Sequence, residues 1–201
     1  MKEEQDYIQD IAEIRSMMER SSKFLSLSGW AGIMAGLYAL AGAWIAYAVF
    51  SFNPDALFYT SSNLPKVILL ALGILVLALV TAIYFSWRKA DQKGEKIWNA
   101  TSRRLLANMT IPLLVGGILI VVFISKGLLG LAAPLMLLFY GLALYNAGNF
   151  TINEVKLMGL VQIGLGLTSA WFIEYELLLW AIGFGVVHIV YGIYMHLRYE
   201  R

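Results

Sequence analysis

The stretch 67-VILLALGILVLALVTAIYFSW-87 holds 21 consecutive residues without a charge. A helix of that length rises about 30 Å, the thickness of a bilayer's hydrocarbon core. It reads as a transmembrane helix, and the composition around it agrees. The chain of 201 residues is 60% hydrophobic and 14% charged, with a mean hydropathy of +0.71. Soluble domains run about 45–50% apolar and about 25% charged. There is no cysteine, which removes disulfides, cysteine-ligated zinc, iron–sulfur clusters and thiol nucleophiles from consideration. The opening MKEEQDYIQDIAEIR is acidic where a signal peptide needs a basic segment followed by an apolar one.

Five more runs are long and apolar enough to join the first. The spacing predicts spans near 28–50, 67–87, 105–125, 128–147, 154–173 and 177–197. The expected fold is all-α: six transmembrane helices in three antiparallel hairpins (24–201), preceded by a cytoplasmic amphipathic helix (1–23). Short links at Lys126-Gly127 and Glu174-Tyr175-Glu176 favour antiparallel neighbours. With the N-terminus inside, 13 lysines and arginines fall on the cytoplasmic side, while only Lys66 and Lys126 fall outside. That asymmetry predicts cytoplasmic N- and C-termini. Trp44, Trp171 and Trp180 fall at outer span ends, and Trp30, Trp87 and Trp98 at inner ones, where indole rings favour the headgroup level. Membrane lipid is therefore an expected partner, and nucleic acid is not.

Residues 2–28 contain no glycine or proline. Tyr7, Ile11, Ile14, Met18 and Leu25 repeat at heptad spacing, with Ser21 as the polar gap. Arg15–Glu19 and Glu19–Lys23 add i,i+4 pairs. Tyr7, Ile11, Ile14 and Met18 are the candidate docking residues for a cytoplasmic protein partner or a second copy of the chain. The five acids among the first 13 residues argue against a lipid-surface helix. The loop 88-RKADQKGEKIWNATSRR-104, with six basic and two acidic residues, reads as a topology determinant.

Small residues form two stripes: Gly32, Gly36, Ala39, Ala43 and Ala46 in the first span, and Ala181, Gly185, His188 and Gly192 in the last. Such stripes let backbones approach closely in lipid. Pro112, Gly116-Gly117 and Pro134 are candidate kinks.

The two histidines, His188 and His196, both lie in the last span. His188 is expected near the bilayer midplane and His196 about 12 Å further along, too far apart to share one metal ion. A buried imidazole needs a hydrogen-bond partner. Counting back from the 174–176 link sets Gln162 level with His188, and Glu154 level with His196. A Gln162–His188 hydrogen bond and an interfacial Glu154–His196 contact are therefore expected, and Thr151 with Glu154 forms a capping-box pattern. His188 and Gln162 are the candidate ligand-binding residues.

No zinc-protease, nucleophile-elbow or phosphate-loop motif occurs. No catalytic residue, metal or cofactor is expected. The leading reading is a non-enzymatic accessory, regulatory or assembly subunit working through protein contacts. A second is a small carrier or channel for a neutral solute lined by His188 and Gln162. A third is a haem or quinone protein; Met34, Met136, Met158 and Met195 would have to supply a second haem ligand but form no paired pattern.

Two stretches, 14-IRSMMERSSKFLSLSG-29 and 183-GFGVVHIVYGIYMHLRYER-201, resemble the corresponding parts of a group of small six-span bacterial inner-membrane proteins. The resemblance implies an integral membrane protein of the bacterial inner membrane and brings neither an activity nor site residues.

Overall fold

The computed structural model describes residues 27–54, 57–58, 62–92, 94 and 97–200. The docking candidates Tyr7, Ile11, Ile14 and Met18 lie outside the described residues. Within them the elements are helices and there is no strand.

Helix α1 is Gly29–Ala48, α2 Leu64–Gln92 and α3 Ala100–Ser125. A 3-10 turn, Leu129–Leu131, leads into α4, Ala132–Ala147, and α5 is Asn153–Trp171. Helix α6 is a rod of 27 residues, Ile173–Tyr199. It opens with a 3-10 turn, passes through a π-helical stretch, Ala181–Val187, and resumes as an α-helix at His188. α1, α2, α3, α4 with its 3-10 lead-in, and α6 are long and apolar enough to cross a membrane. α5 is of comparable length, 19 residues, but Asn153, Glu154 and Lys156 in its opening turns and Gln162 in its middle lower its apolarity.

Local signals set the ends. α3 starts at Ala100 because Asn99 caps it: its Oδ1 accepts the Ser102 N–H at 2.8 Å and its own N–H donates to Ser102 Oγ at 2.9 Å. Pro134 sits in the first turn of α4, where its missing N–H has no intrahelical role. Pro112 lies inside an unbroken α3. The expected cap at Thr151 is displaced by one residue. Ile152 is the N-cap of α5, which puts Thr151 one residue outside the cap position.

Packing crosses the expected hairpin boundaries. The broadest helix–helix faces are α4 on α5 and α1 on α6, with α2 against α1 and α3 against α4. Glycine decides this. A Cβ on Gly192 would stand 2.5 Å from the Gly29 carbonyl oxygen, and one on Gly36 would stand 2.6 Å from the Gly185 carbonyl oxygen. The two small-residue stripes thus meet each other, backbone on backbone. A Cβ on Gly159 would likewise stand 2.6 Å from the Tyr145 backbone nitrogen, across α4–α5. Loop length brings α5 and α6 together as chain neighbours, but close backbone approach is reserved for α1–α6 and α4–α5.

The bundle has a basic end and an opposite end. Arg88, Lys89, Arg103, Arg104, Lys156 and Arg198 belong to helix termini at the basic end, whereas Lys66 and Lys126 belong to the other. Between them, α2 and α3 present exposed Leu, Ile and Val along most of their length; Leu69 is 72% exposed. Such an apolar girdle is compatible with a membrane protein.

Candidate functional site

Mid-bundle, α5 and α6 bring two polar side chains to one carbonyl, and α4 adds a third that reaches one of them. His188 Nδ1 lies 3.0 Å from the Gly183 carbonyl oxygen, and Gln162 Nε2 donates to the same oxygen at 2.8 Å. A carbonyl can only accept, so Nδ1 carries the imidazole proton. In the neutral ring Nε2 is then an acceptor, and the Tyr140 hydroxyl donates to it at 2.9 Å. Trp180, Phe184 and His188, one α-turn apart in sequence, stack in series, and Tyr140 lies 5.5 Å from the His188 ring. Gly183 has to be small: a Cβ there would stand 2.4 Å from Leu137 Cδ2 and 2.6 Å from Gln162 Oε1. The π-helical stretch ends where His188 begins, and such insertions often mark functional positions.

Gln162 and His188 do not bond each other, contrary to the expectation from their level positions. They share Gly183. The helix break falls at Phe172, because residues 173–175 already belong to the α6 rod. Gln162 is ten residues before Phe172 and Gly183 ten after Ile173, so a count from 174–176 overshoots. The expected Glu154–His196 contact is also replaced. His196 faces α1: its ring meets Trp30 edge-on at 5.3 Å, and its Nδ1 lies 2.9 Å from Glu200 Oε2. Glu154 instead accepts from the Tyr199 hydroxyl at 2.9 Å, with Arg198 3.6 Å away.

Glu200 organises the basic end. Its Oε1 accepts the Gly29 N–H at 2.9 Å and pairs with Lys89 Nζ at 3.0 Å. Lys89 also donates to the Leu27 carbonyl. One carboxylate therefore holds the start of α1, the end of α2 and the end of α6, and it places negative charge at a helix N-terminus. Burial alone would raise the Glu200 carboxyl. The His196 hydrogen bond, the Gly29 N–H and the Lys89 ammonium outweigh it and hold the group down at about 2.

Glu176, in the first α-turn of α6, is the opposite case. It is 2% exposed, and its Oε2 has no hydrogen-bond partner among the described residues. Gln162 Oε1 and Ser169 Oγ, in fully buried residues of α5, share that condition, as does Tyr191 OH on α6.

Tyr140, Ser169, Glu176, Lys89 and Glu200 carry no sequence pattern that marked them as site residues. Glu200 lies four residues after His196, a spacing that signals an i,i+4 pair. Tyr140 and Ser169 lie within apolar runs, where a hydroxyl leaves hydropathy almost unchanged. Glu176 falls in a short polar stretch that reads as a link between spans.

Comparison with protein-family models, with curated proteins and with solved structures finds no match.

Proposed function

We propose that this chain is a multi-pass protein of the bacterial inner membrane, with both ends of the sequence in the cytoplasm, that works non-enzymatically through protein contacts at its basic end. The observation behind this reading is the Glu200 hub. It anchors residues 27–29 beside the α2 terminus and the last turn of α6. Leu27, at the start of the described chain, sits at the same end of the bundle as Arg88, Lys89, Arg103 and Arg104. Tyr7, Ile11, Ile14 and Met18 are the side chains assigned to the partner. Haem ligation by His188 through Nε2 would displace the Tyr140 hydroxyl that now donates to it.

The cysteine-free sequence makes the test clean. In intact cells, Lys126→Cys should react with a membrane-impermeant maleimide, and Gln92→Cys should react only after permeabilisation; the reverse pattern overturns the topology. A partner cross-linked to the full chain should be lost on deletion of residues 1–23. Retention of that partner would overturn the docking assignment.

A further inference from the structure

Among the described residues, four buried side-chain polar atoms lack a hydrogen-bond partner: Gln162 Oε1, Ser169 Oγ, Glu176 Oε2 and Tyr191 OH. All four lie on α5 and α6, and their order is regular. Ser169 and Glu176 are each three residues from the Phe172–Ile173 break, so they stand level. Gln162 and Gly183 stand level two turns deeper, about 10 Å on. His188 and Tyr140 follow. Glu154 and Tyr191, each 18 residues from the break, come next. Tyr191 packs there against the cluster that holds Leu144 of α4 and Val155 and Met158 of α5. From Glu176 to Tyr199 the rod rises about 34 Å, the thickness of a hydrocarbon core.

Orphaned polar atoms in such surroundings cost several kcal/mol each unless water completes them. Here they recur at successive depths along α5 and α6. At Gly183 the packing is tight: its Cβ position is already occupied by Leu137 and Gln162, and α4 meets α5 backbone to backbone. A proton needs only hydrogen-bonded atoms. Buried acidic and histidine groups in series are what proton paths require.

We propose that the α4–α5–α6 seam is a water-linked proton path, with Glu176 as the acceptor at one end, Tyr140 as the central relay with His188 Nε2 as its proton store, and Glu154 as the exit at the basic end. The inference rests on the proposed membrane location and is independent of the docking role. Glu176 Oε2 takes a proton and passes it to waters held by Ser169 Oγ and Gln162 Oε1. The Tyr140 hydroxyl receives a proton from that chain and hands its own to His188 Nε2. The return exchange releases it toward Tyr191, and Glu154 delivers it to water. Only O–H and N–H bonds are made and broken, and every group ends as it began.

The test uses the full chain in liposomes with trapped pyranine under a valinomycin–potassium potential. Wild-type vesicles should take up protons well above protein-free vesicles, and Glu176→Gln should cut the excess at least tenfold. Glu174→Gln, an exposed neighbour, should keep the wild-type rate. Size-exclusion profiles matching wild type establish that both variants fold. Uptake by the wild type no faster than by protein-free vesicles, an unchanged rate in Glu176→Gln, or an equal loss in Glu174→Gln would each overturn the proposal. So would swelling in iso-osmotic glycerol, which would assign the seam to a neutral solute instead. Cysteine labelling separates these failures from a failure of the membrane topology.

Discussion

Helix α6 has a buried or nearly buried glutamate at each end, and the two are treated in opposite ways. Glu200 is met by an ammonium, a helix N-terminal N–H and an imidazole. Glu176 is more deeply buried and has an oxygen with no partner among the described residues. A carboxylate surrounded by donors fastens helices together, because each donor comes from a different segment. A carboxyl without donors contributes nothing to fastening and makes its helix end dependent on water or a passing proton. The basic end is therefore a lock, and the opposite end of the α5–α6 seam is the place where chemistry remains unsatisfied.

The sharpest way to break this contrast is Gly192→Ala. It drives a methyl toward the Gly29 carbonyl and pushes the Gly29 N–H away from Glu200. Overpacking of this kind costs about 3 kcal/mol, so the unfolding midpoint in detergent should fall further than in Lys89→Ala or Tyr140→Phe. Lys89→Ala should cost about 2 kcal/mol, because Glu200 keeps the Gly29 N–H and His196 but loses its ammonium. The lock should also show in acid. Glu200 is held at about 2 against an ordinary value of 4.5, so its contribution is complete above pH 4.5 and is lost as the pH falls toward 2. The stability difference between wild type and Glu200→Gln should narrow steadily across that window, and a gap independent of pH would refute the assignment. Tyr140→Phe should cost about 1 kcal/mol by leaving His188 Nε2 without its donor, and the nitrogen-15 shift of Nε2 should move while Nδ1 stays protonated. The smallest effect is expected at the other end. Glu176→Gln should leave the unfolding midpoint unchanged or raise it, since no described donor is lost; a fall as large as that of Lys89→Ala would erase the contrast.

Much of the frame was legible from hydropathy. The expected spans and the observed helices share their centres, because apolar length is a property of a contiguous stretch and needs no tertiary information. The small-residue stripes of the first and last spans were visible for the same reason. Their mutual contact was not, since spacing shows which face is small without naming what lies opposite. The ends were missed where capping chemistry rules: Asn99 with Ser102 extends α3 beyond its apolar run, and Ile152 displaces Thr151 as the cap of α5. His188 and Gln162 were conspicuous in the sequence because a polar group in an apolar run stands out. Their true meeting point, the Gly183 carbonyl, was hidden because backbone groups leave no trace in composition.

By itself the sequence determined the helical class, the apolar spans, the charge asymmetry between the two ends and the burial of His188. These follow from chain-local hydrophobicity and charge, which fix where a residue can lie in depth. Only the tertiary structure decided direction. A residue's angle around its helix, set by which glycines admit a neighbouring backbone, turned His196 to Glu200 instead of Glu154, placed Tyr140 on His188, and brought Gln162 to the Gly183 carbonyl.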